Sequence, residues 1–460
     1  MITQSLISEI VSKQRQFFYT GTTKDVSFRI AQLKKLKQAI LQYDSEIAEA
    51  LKADLNKPEF EVYVAEFLMI FTDIADAIKQ LKNWVKPQRK GVEVAFLPGS
   101  AYLYPEPLGV ALIIGPWNYP FQLSLLPLVG AIAAGNCAIV KPSEIAPHTS
   151  HVINKVISKI FPREYIAVVE GGVETTQELL QEKFDHIFFT GGTAVGKIIM
   201  KEATKHLTPV TLELGGKNPC IVDTDINLEV STRRIAWGKF LNAGQTCIAP
   251  DYLLVHKSIK EKLLTALADS IKEFYDAHPI ESQDYARIIS QKHYNRLVNF
   301  IEGDIYFGGE HNSEKLFIAP TVINNVSWQD SIMEEEIFGP ILPIIEYEDI
   351  NEVITAINSR PKPLALYLFS NNKNLQARIL RETSSGGVCI NDTIKHYGVA
   401  SLPFGGVGDS GIGKYHGKAS FDVFSHYKSV LKRGFAFDMK LLYPPYEGKL
   451  PLLKRLFGKN

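Results

Sequence analysis

Four short, almost wholly apolar segments constrain the fold more than any other feature of the chain. They are residues 109–115 (GVALIIG), 137–140 (CAIV), 167–169 (AVV) and 186–189 (HIFF). Each runs into a polar or glycine-containing turn and then a helical pattern. A strand that is apolar on both faces needs a layer on each side, which helices crossing between parallel strands supply. The fold class is therefore α/β, with a doubly wound sheet. In such sheets ligands sit outside the C-terminal ends of the strands. Those ends carry residues 116–119 (PWNY), the run from Lys141 to Glu144 (KPSE), and the turn TGGTAVG with Gly191, Gly192 and Gly196.

A chain of 460 residues exceeds one ordinary core, so two or three units are expected. Residues 1–85 read as helices, with helical stripes at Ile30, Leu33, Leu36, Lys37, Ile40 and Leu41 and at Val62, Ala65, Phe67, Ile70, Ile74 and Ile78. Residues 86–105 alternate instead (Val92, Val94, Phe96, then Tyr102 and Tyr104), a hairpin-like excursion. The first unit comprises 1–85 and 106–211. Alternation then restarts over 212–415, with a helix at 258–277 and strands near 253–256 and 341–345, as a second α/β unit.

Inside that second unit lie a thiol and a carboxylate that carry chemistry. Cys247 stands in FLNAGQTCIAP, among Gly, Gln and Thr, and Glu213 opens the run ELGG. A thiolate is a strong nucleophile near neutral pH, and a carboxylate can serve as base toward the thiol or toward a later water. The neighbouring glycines let backbone N–H groups approach a reacting oxygen. Covalent catalysis through a tetrahedral oxyanion is the reaction class. Asn118, on a turn between two prolines, is either an oxyanion donor or a turn-forming amide.

The other three cysteines have apolar surroundings and read as core: Cys137, Cys220 and Cys389. Their scatter argues against a zinc site or a disulfide framework, so no metal is expected and a reducing cytoplasm fits. Lys+Arg and Asp+Glu balance at 50 each, which gives no field to attract nucleic acid. No signal peptide and no apolar run of spanning length is evident. The segment 334–340 (EEEIFGP) alone would be a solvated loop. Residues 404–413 (FGGVGDSGIG) lack the Lys-Ser/Thr of a phosphate loop and read as close backbone packing.

Together these segments closely resemble the aldehyde dehydrogenase superfamily. The resemblance rests on PWNYP at 116–120, KPSE at 141–144, FTGGTAVG at 189–196, ELGGKNP at 213–219, GQTC at 244–247, EIFGP at 336–340 and PFGG at 403–406, in the family's order over roughly 25–430. CIAPDY at 247–252 and YHGKASFD at 415–422 resemble the class 3 branch, which includes fatty-aldehyde dehydrogenases. The resemblance implies Cys247 as nucleophile, Glu213 as general base and Asn118 as oxyanion donor. It implies NAD or NADP as cofactor, with Lys141 and Glu144 on the adenosine ribose and Gly191, Gly192 and Gly196 at the diphosphate turn. Glu336 and Phe338 would position the nicotinamide half, and Trp117 and Leu214 would also bind the cofactor. It also implies a Rossmann-like cofactor domain of five strands, a catalytic domain, a bridging or oligomerisation sheet from 86–105 and 424–436, and a homodimer.

A small lipophilic aldehyde is the expected substrate (medium- or long-chain aliphatic, aromatic or apocarotenoid), with Tyr119, Trp237, Leu241, Ile394 and Phe404 lining an apolar funnel. Residues 437–460 form an amphipathic basic tail: Leu450, Leu452, Leu453, Leu456 and Phe457 against Lys440, Lys449, Lys454, Arg455 and Lys459. The tail either docks on a partner subunit or touches a membrane surface peripherally. Two rivals remain. One is a CoA-acylating aldehyde dehydrogenase, disfavoured because Glu213 is present. The other is a catalytically silent binding protein on the same fold.

Overall fold

The computed structural model describes residues 4–93 and 96–458. Contacts divide the chain into two units: Met1–Trp84 with Pro107–Ser425, and Val85–Glu106 with His426–Asn460.

The first unit holds two large sheets. One has the order Ile166–Val168, Cys137–Lys141, Val110–Ile114, His186–Thr190, Val210–Glu213, Gly411–Ile412. Five of these strands run parallel; the two-residue edge strand 411–412 is antiparallel. The chain builds outward from Val110–Ile114 to one side, then returns and builds outward to the other. The reversal point therefore lies between Val110–Ile114 and His186–Thr190, where such sheets bind ligands. Val110–Ile114, Cys137–Lys141 and His186–Thr190 are buried throughout, as their apolar sequences require.

Behind this sheet packs the helix Gln122–Ala134, apolar on all sides and buried at every position. Its last turn is capped by Arg29, whose buried guanidinium donates to Ala133 O at 3.1 Å and to Thr23 O at 2.7 Å. Of the expected stripe over 30–41, Leu33, Leu36 and Ile40 are fully buried, whereas Leu41 is exposed. Ala39 and Ile40 fill the inward arc, and Leu41, about 100° further round, turns outward.

The second sheet has seven strands in the order Asp304–Phe307, Thr321–Asn324, Ile341–Tyr347, Tyr252–His256, Pro219–Val222, Ala365–Phe369, Gly387–Ile390, parallel except at Asp304–Phe307. Cys220 on a central strand is fully buried, but Cys389 on the edge strand Gly387–Ile390 is only half-buried, so the reading of Cys389 as core is corrected. The loop 404–413 does pack against another backbone: a Cβ on Gly411 would stand 2.5 Å from Leu212 O.

The second unit holds all but the end residues Pro107 and Ser425 of the three-stranded sheet Gln88–Lys90, Gly99–Pro107, Ser425–Arg433. Arg89 pairs with Tyr102, so the ladder begins earlier than the alternation at 92–96 suggests, and Val94 lies outside the described residues. A short helix, Leu450–Phe457, follows with Leu450 and Leu452 exposed; the side chains of Leu456 and Phe457, and Lys459, lie outside the described residues. Among the described residues, no helix is long and apolar enough to cross a membrane.

Candidate active site

Cys247 follows a chain reversal that its own neighbours enforce. The helix Leu228–Phe240 ends, and Asn242, Ala243 and Gly244 follow with φ of 53°, 50° and 72°. Left-handed backbone is costly outside glycine, so contacts must over-determine it. Glu61 accepts from Asn242 N at 3.1 Å. The buried Gln245 side chain donates to Asn242 O and Arg287 O and accepts from Ile289 N, each at 3.0 Å. Asn218 then holds the far side: its Nδ2 donates to Cys247 O at 2.8 Å and Ala249 O at 3.0 Å, and its Oδ1 accepts from Ala365 N. At Gly244 a Cβ would lie 2.2 Å from Gly339 O, a backbone atom that cannot step aside. Gly244→Ala is therefore expected to destabilise the fold by about 1–3 kcal/mol and to lower activity with it. An unchanged denaturation midpoint would contradict this account of the turn.

The backbone N–H groups of Cys247 and Ile248 lie toward the Cys247 sulfur and favour a thiolate. Burial outweighs them, and the carboxyls of Glu336 and Glu213 add to it, so the thiol is pushed well above its usual range. Glu213 ends its strand buried, with neither carboxyl oxygen hydrogen-bonded by the protein. Burial pushes its carboxyl well above the usual carboxylate range. Unpaired buried carboxyls are rare, and one at a strand's C-terminal end suits a group that handles protons.

Asn118 is buried on the turn after Val110–Ile114, and its Nδ2 donates one N–H to Gln245 O at 3.0 Å. That bond ties the turn to the loop of Cys247. Beside it, Tyr119 OH meets Thr246 Oγ1 at 2.7 Å.

Cys247 and Glu213 both line a cavity of about 640 Å³, the size of a small-molecule site. All five residues expected to line an apolar funnel are there: Tyr119, Trp237, Leu241, Ile394 and Phe404. Part of the lining escaped the sequence reading: Phe60, Val64, Leu68 and Met69 from the helical run over 59–84, and Phe274. Within this cavity Glu61 is pushed up to about 7, mainly by burial.

The other expected positions lie at the sheet's reversal point and its neighbouring strand end. Lys141 ends its strand and pairs with Glu144 at 2.5 Å. Gly192 precedes the helix Thr193–Ala203, with open space where its Cβ would be. The first turn of that helix offers N–H groups and a positive dipole end to a phosphate. Gly196 lets the helix rest on Leu214, since a Cβ there would fall 2.6 Å from Leu214 Cδ2. Gly191 donates its N–H to Glu213 O at 3.0 Å, so it shapes the turn rather than offering that donor. Thr190 Oγ1 is buried without a protein partner. Open backbone donors, an ion pair at the adjoining strand end and an orphaned hydroxyl fit a dinucleotide.

The loop carrying Glu336 and Phe338 is pinned rather than solvated. Arg296 donates to Glu336 O and Ile337 O, Lys217 donates to Glu335 O, and Asp251 accepts from Ile337 N at 2.9 Å. Glu336 reaches Gly215, where a Cβ would clash with its Oε2 at 2.1 Å. Burial and nearby Asp251 push its carboxyl up to about 8. Phe338, at φ 51°, meets Trp117 edge-on at 5.2 Å, and Trp117 in turn packs on His293. Among the described residues no cluster of His, Cys, Asp or Glu is arranged to hold a metal.

The model of the aldehyde dehydrogenase family matches residues 2–430. The 4,4'-diaponeurosporen-aldehyde dehydrogenase of Staphylococcus aureus is 48% identical over 456 residues, covering 98% of this chain and 99% of that protein. The dimeric, NADP-preferring aldehyde dehydrogenase of Canis lupus familiaris is 46% identical, covering 97% and 99%. A solved structure of the substrate-bound state of Staphylococcus aureus AldH superimposes with a TM-score of 0.96 at 48% identity, covering 98% of this chain and 99% of that one.

Proposed function

Since the chain belongs to the aldehyde dehydrogenase family and oxidises aldehydes with NAD or NADP, we propose that Cys247 carries the acyl group and that Glu213 releases it as a free acid. The observation that supports this most is the shared cavity, which has the thiol and an unpaired carboxyl in its lining.

Cys247 first gives its thiol proton to water; the thiolate Sγ then attacks the carbonyl carbon, a C–S bond forms, and the carbonyl π pair moves to oxygen. The resulting oxyanion is received by the second N–H of Asn118 Nδ2 and by the Cys247 backbone N–H. One such donor is worth about 10²–10³ in rate. The bound cofactor supplies the two-electron oxidation that turns the hemithioacetal into a thioester. Glu213 then takes a proton from water as the water attacks the thioester. The C–S bond breaks and Cys247 is restored. Burial raises the affinity of Glu213 for protons, which makes its carboxylate a stronger base toward water.

Lys141 and Glu144 would hold the adenosine ribose, Gly191, Gly192 and Gly196 the diphosphate, and Trp117, Leu214, Glu336 and Phe338 the nicotinamide half. This assigns 1–85 and 106–211 to cofactor binding, and 212–415 to catalysis. The carboxyl of Glu144 is the feature that favours NAD; because it is partly exposed and can turn aside, NADP is accepted too.

Apolar cavity walls favour a lipophilic aldehyde of medium to long chain, aromatic or apocarotenoid type. The diaponeurosporenal activity of the S. aureus relative supports the last of these. A panel of aldehydes tested with each cofactor, with and without CoA, examines the reading. Reduced cofactor should appear without CoA, fastest with lipophilic members, and free acid should accumulate. Dependence on CoA would refute hydrolytic release. The dimeric state of the canine relative supports a homodimer, to be checked by a solution mass twice that of the chain. A mass equal to one chain would reject it.

A further inference from the structure

We propose that Lys57 is a positioning residue: its ammonium, held by Glu66, fixes the Asn118 peptide and so sets where the Asn118 side chain donates. The inference rests on Asn118 being the oxyanion donor.

The helical run over 59–84 contains a π-helical stretch, Val62–Phe67, between α-helical turns. Its i→i+5 ladder brings residues five apart onto nearly one face, which an α-helix would separate, and such stretches often mark functional sites. Glu61 and Glu66 are so related, and both are buried with their carboxyls turned to the catalytic loops. Glu61 accepts from Asn242 N. Glu66 accepts from Gln122 N at 2.8 Å through one oxygen and from Lys57 Nζ at 2.5 Å through the other.

Lys57 and Glu66 have no exposed side-chain surface at all. The Lys57 ammonium then spends its remaining contacts on the turn that carries Asn118. It donates to Asn118 O at 3.1 Å and lies 4.1 Å from the centroid of the Tyr119 ring. Asn242 Nδ2 donates to the same carbonyl at 2.9 Å. Asn118 belongs to no helix or strand, so these two donors, with the Nδ2 bond to Gln245 O, determine its place.

Stability alone does not call for such a pair, because desolvating two charges commonly costs as much as their attraction returns. An oxyanion donor, by contrast, loses most of its value when displaced by about 1 Å. A charge pair locked on both sides supplies that rigidity.

A double-mutant cycle between Lys57→Met and Asn118→Ala tests the proposal. Lys57→Met should lower kcat/KM about 10–10²-fold, chiefly through the rate of acyl-enzyme formation, with NADP affinity within about twofold of wild type. In the Asn118→Ala background the same change should cost less than about twofold, because its target is gone. Lys57→Arg should recover most of the loss. Should Lys57→Met fail to fold through its unpaired Glu66, the variant Lys57→Met/Glu66→Leu leaves no lone buried charge and should show the same loss. Wild-type acyl-enzyme formation in that double variant would overturn the proposal, as would an undiminished Lys57→Met loss in the Asn118→Ala background. Wild-type activity of Asn118→Ala alone would instead overturn the donor assignment beneath it.

Discussion

Cys247→Ala is expected to lower turnover by at least about 10⁴-fold while cofactor affinity stays within about twofold of wild type. The residue contributes the atom that bonds to substrate, so its loss removes the path rather than weakening a contact. Cys247 is also among the better-supported side chains of the site. Two backbone N–H groups face its sulfur, Asn218 holds its carbonyl, and Gln245 braces the loop two residues earlier. Alanine leaves all of the backbone bonds in place, so the fold and the dinucleotide site should be intact. Cys137 and Cys220 are buried in their sheets and cannot substitute, and Cys389 sits on the edge strand away from the cavity lining. Retention of more than a tenth of wild-type turnover would remove Cys247 from the mechanism.

Glu213→Gln is expected to separate the two halves of the reaction. The amide keeps the size of the carboxyl but cannot accept a proton, so acyl-enzyme formation should proceed and water activation should fail. Steady-state turnover should fall about 10²–10⁴-fold. A rapid burst of reduced cofactor, close to one per active site, should precede the slow phase. Burial of both carboxyl oxygens without a protein partner means the substitution breaks no hydrogen bond of the fold, so the effect reads on chemistry. A uniform slowing with no burst would place Glu213 in the first half-reaction, as base toward the Cys247 thiol.

The parallel sheet was legible because strands buried on both faces leave no polar position to confuse with loop, as residues 110–114 and 137–140 show. Lys141 and the turn of Gly191 and Gly192 followed from the same reasoning, since they stand at strand ends, whereas the place of Glu213 at the end of its strand came only with the structure. Less legible were residues whose meaning depends on partners distant in sequence. Glu66 meets Gln122, 56 positions on, and Glu61 meets Asn242, 181 positions on. A 3.6-residue period accounts for neither, because the π-helical stretch shifts the phase between them. Glu336 stood in an acidic run that reads as solvated, yet Arg296, Lys217 and Asp251 draw its loop inward against Gly215. Cys389 shows the converse: an apolar neighbourhood in sequence becomes half-exposed when the strand lies at a sheet edge.

The division of labour between thiol and carboxyl is tested most directly by the intact mass of Glu213→Gln after mixing with an aldehyde and cofactor in the absence of CoA. The protein should gain the mass of the aldehyde less two hydrogens, on a peptide containing Cys247, and the adduct should disappear on adding hydroxylamine, which cleaves thioesters. An unmodified protein that has nonetheless reduced one equivalent of cofactor, or an adduct on any other residue, would contradict the account.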